Sequence, residues 1–149
     1  MFVEVIGGSS SQKKHTKSMV EFCAKKLMPR LHNLDITVNL CKPKGAIGFC
    51  LELEDNRTFE LEIDRTQPLR QLLETVAHEM VHVKQFTRKE LKHSEFVHIA
   101  IWKGRRWCTH KTHYYDLPWE IEAHGMEVGL FDRWVIQDGV VGKFTKDLT

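Results

Sequence analysis

The sequence predicts an α+β fold: a small, mostly antiparallel sheet of three or four strands packed against helices. Two kinds of segment indicate this class. Short segments in the first half alternate apolar and polar residues, as half-buried strands do, whereas longer segments repeat apolar residues at helical spacing. The length of 149 residues and the hydrophobic content of 42% fit one compact domain. We therefore expect residues 1–149 to form a single unit with its own core.

The chain opens with a predicted strand and helix. Residues 2–6 form a short, mainly apolar strand, and residues 7–11 form a Gly- and Ser-rich turn that could cap the next element. Residues 14–31 have helical periodicity, with Met19 and Cys23 on the inward face. We expect the lysines of this region to be solvated rather than to bind an anionic partner. They are Lys13, Lys14, Lys17, Lys25 and Lys26.

Three further strands are predicted before the middle of the chain. They span residues 34–41, 45–54 and 58–63, and the last has the cleanest alternation. A turn at residues 55–57 joins the last two strands and favours an antiparallel hairpin. An exposed edge of such a sheet can bind an extended peptide as an added strand.

A helix is predicted over residues 68–86, with helical order continuing to about Ile101. The next segment, residues 102–107, predicts a hairpin or loop. Its interleaved Trp and Arg could stack on single-stranded nucleic acid. A packed hairpin or a substrate-facing loop is our preferred interpretation, because one short cluster is weak support for nucleic-acid binding.

A second long helix is predicted from Pro118 to Val135, because Asp116 can act as its N-cap and a proline stands just inside. From Asp138 onward the tail is short and mixed. We expect it to add a final strand or to fray.

Composition excludes several classes of protein. A net charge of +2 gives little reason to expect nucleic-acid binding. No apolar stretch approaches the roughly 20 residues of a membrane span, and residues 1–6 lack the basic start of a signal peptide. The cysteines form no CxxC pair, so we interpret them as reduced thiols of a soluble, cytoplasmic protein. They are Cys23, Cys41, Cys50 and Cys108.

The predicted central helix carries the motif His78-Glu79-Met80-Val81-His82. Histidines four apart project from one face of a helix, so both imidazoles can reach one zinc ion. Glu79 lies about 100° round the helix and can act as general base toward a zinc-activated water. The alternative is that both histidines are hydrogen-bonded core residues. Chance can produce the motif, but a second helix with carboxylates about forty residues on favours the metal site.

A catalytic zinc site needs a third protein ligand, and the second helix offers several. We prefer Glu122, because it shares a face with Gly125 and Gly129, which would let the two helices approach closely. Glu120 points about 200° away from Glu122 and is the second choice. His124 is the third.

The motif His78–His82, followed by Pro118-Trp-Glu-Ile-Glu-Ala123, resembles small gluzincin-type zinc metallopeptidases. These include minimal gluzincins and ImmA/IrrE-like proteases, and phage-encoded members are the most similar. The resemblance covers roughly residues 58–131 and implies a zincin-like fold with one Zn²⁺ per chain. It also implies that a Glu directly before an Ala is the third ligand, which here is Glu122. Thermolysin-like members have an acid four residues later, where this chain has Met126.

An outer partner for the zinc-binding histidines must therefore come from elsewhere. Glu120, Asp116 and Glu127 are the candidates.

His93, eleven residues after His82, resembles the third histidine of SprT-like metalloproteins. That family typically has Gly where this chain has Ser94. The resemblance implies a three-histidine site and a DNA-associated protease. Such a protease would bind DNA through Lys103, Arg105, Arg106 and Lys111.

The expected function is peptide-bond hydrolysis, with zinc held by His78, His82 and Glu122 and with Glu79 as general base. The partner is then a peptide or protein substrate. Residues of the loop before the second helix could polarise the substrate carbonyl: His110, His113, Tyr114 or Tyr115. An alternative is a silent or latent zinc-binding interaction module whose cleft is covered by residues 140–149 or 102–107.

Overall fold

The structure is a computed structural model that describes residues 1–138. Its elements in chain order are β1 (Phe2–Ile6), α1 (Ser10–Leu27), β2 (Asp35–Cys41), β3 (Gly48–Glu52), β4 (Thr58–Asp64), α2 (Leu69–Thr87), β5 (Leu91–His93), β6 (Ile99–Trp102), β7 (Arg105–Cys108) and α3 (Pro118–Gln137). The predicted α+β class is confirmed. The tail for which a final strand was considered, with the latent segment 140–149, lies outside the described residues.

The first sheet has four strands in the order β1-β2-β4-β3. The predicted hairpin is confirmed, because β3 runs antiparallel to β4. The expectation of a mostly antiparallel sheet is wrong here, because β1 with β2 and β2 with β4 pair in parallel. Helix α1 returns the chain to the end of the sheet where β1 began, as a parallel pair requires. Strand β3 then passes outside β4, so it forms one edge of the sheet.

Helix α1 lies four residues before its predicted position. Ser9 caps it: the Ser9 side chain accepts a hydrogen bond from the Gln12 N–H, and the Gln12 side chain accepts one from the Ser9 N–H. The helix ends at Leu27, because Pro29 disfavours helical conformation at the residue before it. The lysines on its outer face are exposed.

The core lies between the four-stranded sheet and the helices. The inward residues of β2 and β4 are essentially fully buried, and α1 and α2 pack on the sheet while α3 packs on both of these helices. Fully buried residues of this core include Met19, Ile36, Leu61, Leu72, Met80 and Trp134.

The second sheet is antiparallel and has the order β5-β6-β7. It replaces the helical order predicted up to Ile101. Helix α2 ends at Thr87, and Lys89 has a φ of 57°, a left-handed conformation that turns the chain away. The hairpin predicted over residues 102–107 is confirmed. Its turn residues Lys103 and Gly104 both have positive φ, as a tight hairpin turn requires.

Helix α3 begins at Pro118, as predicted, and extends to Gln137. Its N-cap is Leu117 rather than Asp116, which lies in a 3-10 turn over Tyr114–Asp116. The residue before a proline favours extended backbone, which Leu117 adopts. Among residues 1–138, no helix combines the length and the apolar character needed to cross a membrane. The four cysteines are all free.

Candidate metal centre

Helix α2 brings the two motif histidines together. His78 and His82 lie on one face of the helix, and their rings meet edge to face with centroids 4.9 Å apart. Helix α3 packs beside α2 along this face and contributes Glu120. All three side chains are buried, with residue exposures of 6%, 7% and 8%.

Three atoms of these residues converge on one point. His78 Nε2 lies 3.0 Å from Glu120 Oε1. His82 Nε2 lies 3.3 Å from the same oxygen and 3.2 Å from His78 Nε2. Tetrahedral zinc ligands with bonds of about 2.0–2.1 Å lie about 3.3 Å from one another. The three atoms therefore have the spacing of ligands to one zinc ion, and the residues fit the metal that the sequence predicts.

Glu122, the preferred third ligand, is not in this group. Glu122 Oε1 accepts hydrogen bonds from Lys84 Nζ at 2.8 Å and from Gln85 Nε2 at 3.0 Å. The structure corrects the predicted arrangement, because Glu120 occupies the position that we expected for Glu122.

The glycines that favoured Glu122 do not lie against α2. A Cβ atom built at Gly125 or Gly129 meets no atom within 4 Å, so their face of α3 is open. The buried face of α3 consists of apolar residues at helical spacing, and Glu120 lies beside this face. The same apolar spacing is visible in the sequence and could have indicated Glu120. The buried apolar residues of α3 are Trp119, Ala123, Leu130, Phe131, Trp134 and Val135.

The outer nitrogens of both histidines are hydrogen-bonded. His78 Nδ1 lies 3.0 Å from Glu127 Oε2, and His82 Nδ1 lies 2.8 Å from Gln85 Oε1. Both oxygens are acceptors, so each Nδ1 carries a proton. In a neutral imidazole the Nε2 atom then presents its lone pair to the centre. Glu127 was a candidate partner in the sequence, whereas Gln85 was missed, although it follows His82 by three residues on the same helix face.

The charges of the cluster favour a cation. Burial lowers the pKa of His78, but hydrogen bonds with Glu120 and Glu127 outweigh it and raise the pKa to about 9. Burial raises the pKa of Glu120, but the two histidines and Tyr114 outweigh it and hold the pKa well below its usual range. Without a metal, the carboxylates thus retain a proton on His78. A divalent cation would supply that positive charge.

Two more side chains border the centre. Tyr114 donates a hydrogen bond from its hydroxyl to Glu120 Oε1 at 2.8 Å. The ring of His124 lies 4.5 Å from that of His78, and its Nδ1 lies 3.3 Å from Glu127 Oε1. His78, His124 and Glu127 form a second group with ligand spacing, but this group is more exposed. In this second group, Glu127 already accepts a hydrogen bond from His78 Nδ1.

Glu79 is buried next to the edge strand β3. Burial raises the pKa of its carboxyl, an effect that His82 and His78 partly offset. A Cβ atom at Gly48 of β3 would lie 2.9 Å from Glu79 Oε1 and 2.7 Å from Thr75 Cγ2. Only glycine at this position lets the strand pass so close to Glu79.

The cluster opens into a cleft of about 780 Å³. Strand β3 forms one wall through Gly48 to Cys50, and β5, the loop after it and the start of β6 form the other. The lining is mainly apolar away from the histidines. The site is therefore accessible to a molecule much larger than water.

His93 lies on the wall of this cleft rather than in the cluster. Its ring stacks on Phe86 with centroids 5.1 Å apart, and the residue is exposed. Neither group with metal-ligand spacing in residues 1–138 includes His93. The three-histidine alternative does not fit this arrangement.

No family model, curated protein or solved structure matches this chain. By its chemistry, the cluster can hold a divalent cation between two imidazoles and a carboxylate. It also places a second carboxylate, Glu79, at the same end of the cleft.

Proposed function

We propose that the protein is a zinc-dependent metallopeptidase in which His78, His82 and Glu120 hold one Zn²⁺ and Glu79 is the general base. The observation that carries the proposal is the convergence of two Nε2 atoms and one carboxylate oxygen at the end of an open cleft. Among the described residues, no lysine or arginine forms an ion pair with Glu120. The centre therefore lacks a fixed positive charge.

The donor set supports zinc. Two histidines and one glutamate, with an accessible fourth position, are typical of catalytic zinc sites. The hydrogen bonds at both Nδ1 atoms match the outer contacts that orient zinc-binding histidines. The resemblance to small gluzincins supports two histidines of α2 and one glutamate of α3 as ligands and extends the proposal to a zincin-like fold. It implies Glu122 as that glutamate, whereas we choose Glu120 because its carboxylate lies against both histidines.

A bound Zn²⁺ would lower the pKa of a water molecule toward 7 and polarise the scissile carbonyl. Glu79 accepts the proton of the attacking water and passes it to the leaving amine. The buried environment that raises the pKa of Glu79 suits this role, because a stronger base accepts the proton more readily. Gly48 has no side chain that would press on the Glu79 carboxylate.

The substrate of this proposal is an extended peptide. Strand β3 is an edge strand of the four-stranded sheet and also lines the cleft beside the histidines. A peptide that pairs with β3 would therefore run past Glu79. A cytoplasmic setting completes the proposal, since the four cysteines are unpaired, as expected in a reducing compartment.

The test uses the purified full chain, its Glu79→Gln variant and an unfolded protein such as casein. We expect about one zinc per chain in both proteins and cleavage by the wild type alone. A chelator should abolish the cleavage and added zinc should restore it. Wild-type protein without zinc after reconstitution, or a Glu79→Gln variant as active as wild type, would contradict the proposal. Zinc binding without any cleavage would favour the silent zinc-binding module.

A further inference from the structure

We propose that Glu122 and Gln85 are positioning residues that fix the ring of His82 for metal binding. The inference rests on the proposed metal centre. It assigns to Glu122 a role that acts through Gln85, because Glu122 does not contact His78 or His82 in the described structure.

The orientation of the Gln85 amide is determined by its partners. Its NH₂ group donates to the carbonyl oxygen of Trp119 and to Glu122 Oε1, each at 3.0 Å. Both partners can only accept. Gln85 is 0% exposed, so water cannot replace either hydrogen bond. A flipped amide would direct its oxygen at two acceptors, and the observed orientation is therefore the stable one.

The fixed amide determines which nitrogen of His82 carries the proton. Gln85 Oε1 faces His82 Nδ1 at 2.8 Å and accepts its hydrogen. The lone pair of the neutral ring is then on Nε2, the atom that faces His78 and Glu120. Glu122 thus acts on the centre through two successive hydrogen bonds, and Trp119 anchors the same amide.

Glu122 is itself held in place from another direction. Lys84 Nζ lies 2.8 Å from Glu122 Oε1 and 2.9 Å from Glu90 Oε1, and Lys84 is 9% exposed. The carboxylate is therefore fixed between a buried ammonium and the Gln85 amide. This placement suits a residue that holds a neighbour, because Glu122 Oε1 accepts from Lys84 and Gln85 rather than from a histidine.

The experiment compares Zn²⁺ affinity, by chelator competition, in wild type, Glu122→Ala, Gln85→Leu and the double variant. We expect each single variant to bind Zn²⁺ about 10–100-fold more weakly, as is usual when an outer partner is lost. The double variant should be no weaker than Gln85→Leu, because the two residues act in series. Glu122→Gln, which keeps an oxygen acceptor for Gln85, should bind nearly as tightly as wild type. Gln71→Leu, at an exposed position of α2, is the matched control and should have no effect.

A second readout does not need zinc. In metal-free protein, nitrogen-15 NMR should detect the His82 Nδ1–H proton as protected from exchange in wild type and as rapidly exchanging in Gln85→Leu. This signal tests the hydrogen bond even if the wild type binds no zinc, a result that would contradict only the proposed function. If Glu122→Ala fails to fold because Lys84 loses a partner, the variant lacking both charges, Lys84→Met with Glu122→Met, replaces it.

Three outcomes would overturn the inference. Complete loss of zinc in Glu122→Ala with full binding in Gln85→Leu would make Glu122 a ligand. Wild-type affinity in Gln85→Leu would remove the positioning role. Additive losses in the double variant would mean that the two residues act separately.

Discussion

Two clusters lie side by side where α2 meets α3. They differ in the group that balances the negative charge of their carboxylates. The histidine cluster consists of His78, His82 and Glu120, and the lysine cluster of Lys84, Glu90 and Glu122. In the lysine cluster two carboxylates close around a permanent ammonium. In the histidine cluster a carboxylate faces two imidazoles whose outer nitrogens are already engaged.

The difference explains why two glutamates two residues apart have unlike roles. A buried charge is stable only when it is paired. The charge of Glu122 is balanced by Lys84. The charge of Glu120 must be balanced by a protonated histidine or by a metal ion from outside the chain. The comparison predicts that a metal belongs to the histidine cluster alone, and the following changes test that division.

The largest effect is expected from Glu120→Ala. Removal of one of the three proposed ligands should weaken Zn²⁺ binding by about 1,000-fold or more, well beyond the loss expected from an outer partner. Chelator competition on Glu120→Ala and Glu122→Ala measures the contrast. Equal losses in the two variants would mean that the clusters do not divide the roles in this way.

The metal-free protein should lose stability as the pH rises. The pKa of His78 is raised to about 9 in the folded chain, so its contribution is complete below the ordinary value of 6.5 and is lost as the pH passes 9. The loss in the free energy of unfolding should be about 3 kcal/mol. Urea unfolding in the presence of chelator at pH 6.5 to 9.5 tests this. Saturating zinc should remove the dependence, and a flat profile with chelator would contradict the charge balance inferred for the cluster.

Gly48→Ala should disturb Glu79, the proposed general base, and leave both clusters unchanged. The new Cβ atom would overlap Thr75 and the Glu79 carboxylate, so we expect a loss of about 2 kcal/mol in unfolding free energy and reduced turnover with unchanged Zn²⁺ affinity. Thr75→Ser removes the overlapping methyl group and should restore part of the stability of Gly48→Ala. Unchanged unfolding and turnover in Gly48→Ala would show that β3 can move away at no cost.

The smallest effect is expected on the open face of α3. Gly125→Ala and Gly129→Ala should each raise the free energy of unfolding by about 0.5–1 kcal/mol, because alanine is the better helix former and nothing lies within 4 Å of the new atom. Thermal unfolding measures the gain. Destabilisation would mean that these glycines face a neighbour, as the sequence argument for Glu122 required.

The sequence predicted most of the framework that holds the site. Residues 78–82 lie on a long buried helix, and the helix from Pro118 begins where the proline indicates. Regular periodicity and a proline at a helix start are local signals, so they predict a helix without knowledge of the rest of the fold. Strand orientation was not local: it depends on β3 lying outside β4, which no residue of either strand specifies.

The structure places Glu120 rather than Glu122 beside the histidines, and this difference from the prediction has a similar cause. Gly125 and Gly129 permit close packing but do not cause it, and the apolar face beside Glu120 was the stronger signal. The role of Gln85 could not be predicted, because it depends on the Trp119 carbonyl and on Glu122, both contributed by α3. Residues 91–101 were misassigned as helical because β5 and β6 are each at most four residues long, too short for a clear period of two.

In chain order, the second sheet lies between α2 and α3, the helices that carry the histidine cluster. His78 and Glu120 are 42 residues apart in the chain, and all of β5, β6 and β7 lies between them. A cation that joins α2 to α3 would close this segment into a ring. Ring closure restricts the unfolded chain more than the folded one, as any cross-link does. The wall of the cleft would then be the part of the fold whose resistance to proteases depends most on metal supply.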